Sequence, residues 1–95
     1  MATKTVKFNK SGIAKLPNDK PAVYKIESAG GKPNYVGIAK RGRVQERILE
    51  HLAGAKDPVP GTKVQIEQLP TVQQAAQKEK GIIARAQPKY NKLHK

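Results

Sequence analysis

The hydrophobic period of this chain switches back and forth between two values, and that switching limits the folds open to it. Behind Pro21, Ala22, Tyr24 and Ile26 alternate with Val23, Lys25 and Glu27 at period two, the pattern of a strand. Tyr35-Val36-Gly37-Ile38 is a second short β-type run, and the turn-rich Gly30-Gly31-Lys32-Pro33-Asn34 between the two predicts a hairpin. From about Arg43 to Ala53 the spacing changes to four, with Val44, Ile48 and Leu52 in line and Leu49 beside them, which predicts an amphipathic helix stopped at Gly54. After a loop over Lys56 to Gly61, Lys63 to Leu69 alternates again as a third strand. A second helix follows Pro70, with Thr71 and Gln74 as a capping box, and runs to about Ala86 before Pro88 and a polar tail, Lys89 to Lys95. The order β-β-α-β-α predicts an α+β fold, a small three-stranded, mostly antiparallel sheet flanked by helices. Ahead of it, residues 1–15 read as a loosely attached basic arm with a short strand at Thr5 to Phe8, and residues 16–95 as a single domain.

Charge narrows the function. Nineteen Lys and Arg against seven Asp and Glu give a net charge of +12 on 95 residues, a surface that attracts polyanions. Only four aromatics, Phe8, Tyr24, Tyr35 and Tyr90, argue against a base-stacking platform for single strands. The absence of cysteine excludes a disulfide framework, a thiolate metal site and a cysteine nucleophile. No apolar run approaches the ~18 residues that span a bilayer, and the N-terminus lacks a signal peptide's apolar region. The expectation is a cytoplasmic protein with no membrane partner, encoded by a bacterium or a phage.

Three polar residues interrupt the apolar stripes. On the second helix the stripe Val72, Ala75, Ala76, Ile82, Ile83 and Ala86 has a gap, and Glu79 fills it, one turn from Ala75 and Ala76 and one turn before Ile82 and Ile83. A carboxylate on an inward face needs a cation, a metal or a donor network. The ordinary alternative is a boundary residue paired with Lys63, or with Lys78 or Lys80 of another copy. On the first helix Arg47 and His51 lie four apart and flank the stripe on one side, able to reach one target. Singly, Arg47 reads as a phosphate contact or a partner of Glu50, and His51 as a satisfied boundary histidine. Together with the hairpin tyrosines they form the inventory that metal-assisted phosphodiester hydrolysis needs. Arg47 would stabilise charge gained on the phosphate oxygens, Glu79 would anchor one Mg²⁺, and a tyrosine hydroxyl or His51 would take a proton from the attacking water.

In this order the residues resemble the GIY-YIG nuclease family. Ala22-Val23-Tyr24 matches its first motif and Tyr35-Val36-Gly37 its second, followed by Arg47, by His51 four residues on, by Glu79 in a helix and by Asn91 after Pro88. The resemblance spans residues 16–91 and includes Leu16-Pro17 ahead of the first motif. It implies a GIY-YIG-like fold and a nuclease that uses Mg²⁺ or Mn²⁺ to cut one DNA strand per active site. Glu79 would hold the metal, Tyr24 would act as or assist the general base, and Tyr35 would position water or phosphate. Arg47 would stabilise the phosphate, His51 and Asn91 would support the site, and Gly37 would leave the backbone room near the phosphate. Lys40, Arg41 and Arg43, in the basic run after the second motif, are expected to contact nucleic acid.

The sequence departs from the family pattern in places. Ala22 stands where the first motif has a glycine, and a slightly long interval from Tyr35 leaves Arg43 as the alternative to Arg47. Many members draw selectivity from an attached DNA-binding domain, and these 95 residues contain none. The expected behaviour is weak selectivity, recruitment by a protein partner or a homodimer, or recognition of branched or nicked DNA, with RNA also open. The rival reading is a nucleic-acid-binding protein that keeps the scaffold without cutting. A blander one is a small basic RNA- or ribosome-associated protein, against which the inward Glu79 stands.

Overall fold

The computed structural model describes residues 3–52 and 59–86. Four strands form one sheet: β1 (Thr3–Lys7), β2 (Ala22–Glu27), β3 (Pro33–Ala39) and β4 (Lys63–Gln68). Three helices accompany it: α1 (Lys10–Ile13), α2 (Val44–Leu49) and α3 (Val72–Ala86). The strand order is β1-β4-β2-β3, and every neighbouring pair is antiparallel.

The sheet is thus an α+β sheet of four strands, not the three read from periodicity. The additional strand is β1, in the basic N-terminal segment, in register with β4 from Thr3↔Glu67 to Lys7↔Lys63. Periodicity could not reveal the full strand because only Val6 in it is even half-buried. Its place is held by the backbone ladder rather than by an alternating apolar face. Asn9 then caps α1, its Oδ1 accepting from the Gly12 N–H at 2.7 Å. Ile13 and Leu16, both sealed, drive the same segment into the core, each contributing about 1.5–3 kcal/mol of transfer free energy.

The predicted hairpin is present as β2 and β3, paired from Ala22↔Ala39 through Tyr24↔Gly37 to Ile26↔Tyr35, with an irregularity after Ile26. Because strand side chains alternate, the sheet has two apolar faces. Tyr24, Ile26, Tyr35, Val64 and Ile66 point to one, where Ile13, Leu16, Val44 and Ile48 cover them. Val23, Val36 and Leu69 meet Ala75 and Ile82 of α3 on the other. The α3 start is as expected, with Thr71 Oγ1 accepting from the Gln74 N–H at 3.1 Å.

Helix α2 is shorter than the spacing-four pattern suggests. It ends at Leu49, and the chain continues through i to i+3 turn bonds, His51 N–H to Ile48 C=O at 3.0 Å and Leu52 N–H to Leu49 C=O at 3.2 Å. Its N-cap, Arg43, makes no side-chain cap bond. Asn18, from before β2, does that work instead. Its Oδ1 accepts from the Gln45 N–H at 3.2 Å and its C=O from the Gly42 N–H at 2.7 Å. Gln45 returns the contact, donating Nε2 to the Leu16 C=O at 2.6 Å. The predicted stop at Gly54, Pro88 and the tail from Lys89 lie outside the described residues.

Candidate active site

Tyr24 and His51 meet inside the protein. The Tyr24 hydroxyl lies 2.9 Å from His51 Nε2, and the two residues are 0% and 1% exposed. Tyr35 closes the group, its ring centroid 4.6 Å from the His51 ring and 6.1 Å from that of Tyr24. Burial pushes the Tyr24 hydroxyl far above the ordinary tyrosine range. The Tyr35, Glu79 and Glu50 charges add to the rise, while Arg47 opposes it.

The chain can place a tyrosine there because Gly37 stands opposite it on the edge strand. A Cβ at position 37 would come within 2.6 Å of the Tyr24 hydroxyl, 2.7 Å of its Cζ and 3.0 Å of Tyr35 Cε2. The second motif's glycine therefore leaves room for the tyrosine rings.

Arg47 projects from α2 at the rim of this group. It lines a cleft of about 380 Å³ with Ile38, Ala39, Lys40, Arg43, Glu46 and Glu50. Ile38 packs with the α3 side of the sheet and Ala39 with the α2 side, so the cleft opens at the free edge of β3. Arg47 Nη1 pairs with Glu50 Oε1 at 2.8 Å, and its side chain is 46% exposed. Partial burial works to lower its pKa, but the charges of Tyr24, Glu50 and Tyr35 and the bond to Glu50 outweigh it and raise the pKa. Arg43 pairs with Glu46 at 2.7 Å and is more exposed, at 60%. Among the described residues, electrostatic coupling to Tyr24 comes from Arg47 and not from Arg43.

Glu79 lies on α3 between buried Ala75 and Ile82, half-buried itself. Burial raises its pKa above the usual glutamate value, and neighbouring Lys80 only partly counters this. No ion pair engages Glu79 among the described residues, and Lys78 pairs with Glu67 of its own chain at 3.3 Å. Within one chain, an ion pair of Glu79 with Lys63 is not present among the described residues. Among the described residues no three His, Asp or Glu side chains form a metal cage.

Tyr24, Tyr35 and His51 are thus in contact, Arg47 and Glu79 act on Tyr24 electrostatically, and Lys40 and Arg43 share the Arg47 cleft. Arg41 is exposed on the loop before α2 and does not line that cleft. Asn91 lies outside the described residues. Glu46 goes unnoticed in the sequence reading; it faces Arg43 at i+3, a spacing that signals a helical ion pair. Asn18 and Gln45 are also missed, because their contact spans distant segments.

No protein-family model and no curated protein matches the chain. Among solved structures, it is similar to the GIY-YIG N-terminal endonuclease domain of UvrC from Thermotoga maritima, a point mutant bound to its catalytic divalent cation. The TM-score is 0.62 at 24% sequence identity, over 82% of this chain and 92% of that one. The sheet, its flanking helices and this likeness together give the chain a GIY-YIG-like fold.

Proposed function

We propose that this protein is a divalent-metal-dependent endonuclease that hydrolyses phosphodiester bonds in DNA, one strand per active site. The observation that carries the reading is a half-buried carboxylate, Glu79, that no ion pair engages among the described residues and that, like Arg47, is electrostatically coupled to the Tyr24 of a buried tyrosine–histidine pair on a strongly basic chain. A pure phosphate binder gains nothing from an inward acid, whereas a hard divalent cation needs an oxygen anchor of this kind. Glu79 fits Mg²⁺ or Mn²⁺, since one carboxylate suffices when water and phosphate oxygens fill the remaining positions. When bound, the cation supplies Lewis-acid stabilisation of charge on the phosphoryl oxygens.

The chain's own residues divide the rest. Arg47, held at the cleft by Glu50, turns to the phosphate and stabilises the negative charge that grows in the transition state. Tyr24 keeps its proton at neutral pH because burial disfavours the phenolate. It therefore serves as base only by passing that proton on as it accepts another, and His51 Nε2 stands at hydrogen-bond distance to receive it. Tyr35, packed on His51, positions water or phosphate, and Lys40 and Arg43, which line the cleft, guide the backbone to it. The UvrC domain of similar fold is bound to a catalytic divalent cation, which supports the dependence on a divalent metal.

The direct test is nicking of supercoiled plasmid with Mg²⁺ or Mn²⁺, by wild type and by Glu79→Ala and Arg47→Ala, at matched DNA occupancy. Metal-dependent nicking that both substitutions abolish supports the proposal. Tight, salt-sensitive binding without cleavage of plasmid, branched DNA or RNA by the wild type overturns it in favour of a binding protein.

A further inference from the structure

Among the described residues, a second concentration of basic side chains lies away from the cleft. Arg43 and Arg47 each hold a glutamate, and Lys78 holds Glu67. By contrast, no acidic residue occurs before Asp19, and among the described residues no ion pair engages Lys4, Lys7, Lys10 or Lys15. Three of these lysines surround one concavity. A groove of about 540 Å³ between β1 and α1 is lined by Lys4, Lys7 and Lys15, with Thr5, Asn9 and Ser11 as further polar wall.

The groove is built rather than incidental. Asn9 caps α1, and Gly12 brings the α1 backbone directly against Lys7, at a spot where a Cβ would collide with the Lys7 carbonyl. Lys4 Nζ reaches across to the Lys15 carbonyl at 3.3 Å, so lysines from the strand and from the helix end are held to one opening. It follows β1, the sheet edge opposite β3 and its cleft. With neighbouring strands about 4.8 Å apart, the edges stand roughly 14 Å from each other. A phosphate backbone laid across the domain can reach both.

We propose that the groove between β1 and α1 is a second nucleic-acid contact, taking the sugar-phosphate backbone away from the scissile bond through Lys4, Lys7 and Lys15. Its ligand chemistry is repeated phosphodiester anions. Lysine ammonium groups and short hydroxyl and amide side chains recognise phosphate without reading bases, so the contact adds affinity and no sequence preference. It extends the nuclease reading but stands or falls by binding alone.

The experiment measures binding of a fluorescently labelled 30-base-pair duplex to the full chain in EDTA, across a salt series. Lys4→Gln/Lys7→Gln/Lys15→Gln is compared with Lys20→Gln/Lys25→Gln/Lys32→Gln, which removes the same charge elsewhere. The groove variant is expected to lose at least about tenfold in affinity near 0.1 M salt, and its slope of log affinity against log salt to fall by about 2.5, as for three lost phosphate contacts. The control variant loses less on both counts, and Lys→Arg at the three groove positions restores both values. Equal losses in the two triple variants overturn the proposal by reducing the effect to net charge. Unchanged duplex binding by the groove variant, with lost binding to phosphatidylserine vesicles, overturns it in favour of a membrane contact. Nicking by the wild type is scored separately, so failure of the nuclease reading leaves this result intact.

Discussion

Tyr24 and His51 are 27 residues apart in sequence, yet their polar atoms sit 2.9 Å apart with both side chains sealed from water. Tyr24→Phe keeps the ring and removes only that bond. Unfolding in denaturant should register a loss of about 1–3 kcal/mol, the cost of taking a hydrogen-bond partner from a buried polar atom. Plasmid nicking should drop by roughly 10²- to 10⁴-fold, the range for lost acid–base assistance.

Gly37→Ala tests how the tyrosine is accommodated. Its methyl group would press on the Tyr24 hydroxyl and Cζ, and overpacking of this sort costs about 1–3 kcal/mol. In a Tyr24→Ala background the ring is gone and the same change should cost clearly less. A double-mutant cycle read by chemical denaturation measures that coupling, and additive effects would contradict the contact.

Arg47→Ala and Arg43→Ala should look alike in stability and unlike in activity. Both arginines make exposed i,i+3 ion pairs, each worth about 0–1 kcal/mol. Because Arg47, unlike Arg43, is coupled to Tyr24, its removal should slow nicking by about 10²- to 10³-fold, and that of Arg43 by far less. Thermal melts beside single-turnover nicking separate the two effects.

Glu79 links stability to pH and to metal. Its folded pKa is raised by burial, so its contribution to stability is fully present below the unfolded glutamate pKa and is lost as pH rises through the folded value. At neutral pH without metal, Glu79→Gln should therefore melt higher than wild type, and the difference should vanish in acid. Added Mg²⁺ or Mn²⁺ at ten times its Kd should stabilise the wild type by about 1.4 kcal/mol and leave the variant unmoved. Calorimetry over a pH series, with and without metal, reads both.

Asn18→Ala removes a helix cap supplied from outside the helix. A loss of about 0.5–2 kcal/mol is expected, as for caps within a helix, and should be seen by urea titration. Since α2 carries Arg47, nicking should weaken as well.

Much of this was legible in the residues themselves. The hairpin and α3 follow from period two and from a stripe of apolar positions, and Glu79 stood out because it filled a gap in that stripe. β1 was legible only in part, since a five-residue strand with a single half-buried side chain offers no alternation to detect. The His51 environment was hidden for a different reason. Spacing places it beside Arg47 on one helical face, but α2 ends at Leu49 and the tighter turn that follows carries His51 inward while Arg47 stays at the surface. The Asn18–Gln45 clasp joins residues 27 apart and leaves no local pattern.

The pairing of β1 with β4 also sets an order of events during synthesis. Thr3 finds its partner in Glu67, so β1 leaves the ribosome with no ladder to join until the residues of β4 have followed. Such long-range pairing slows folding, because loop closure precedes any gain from the contact. Meanwhile Lys4 and Lys7 place charge on a strand whose hydrogen-bonding groups are still open, and this discourages pairing with other nascent chains.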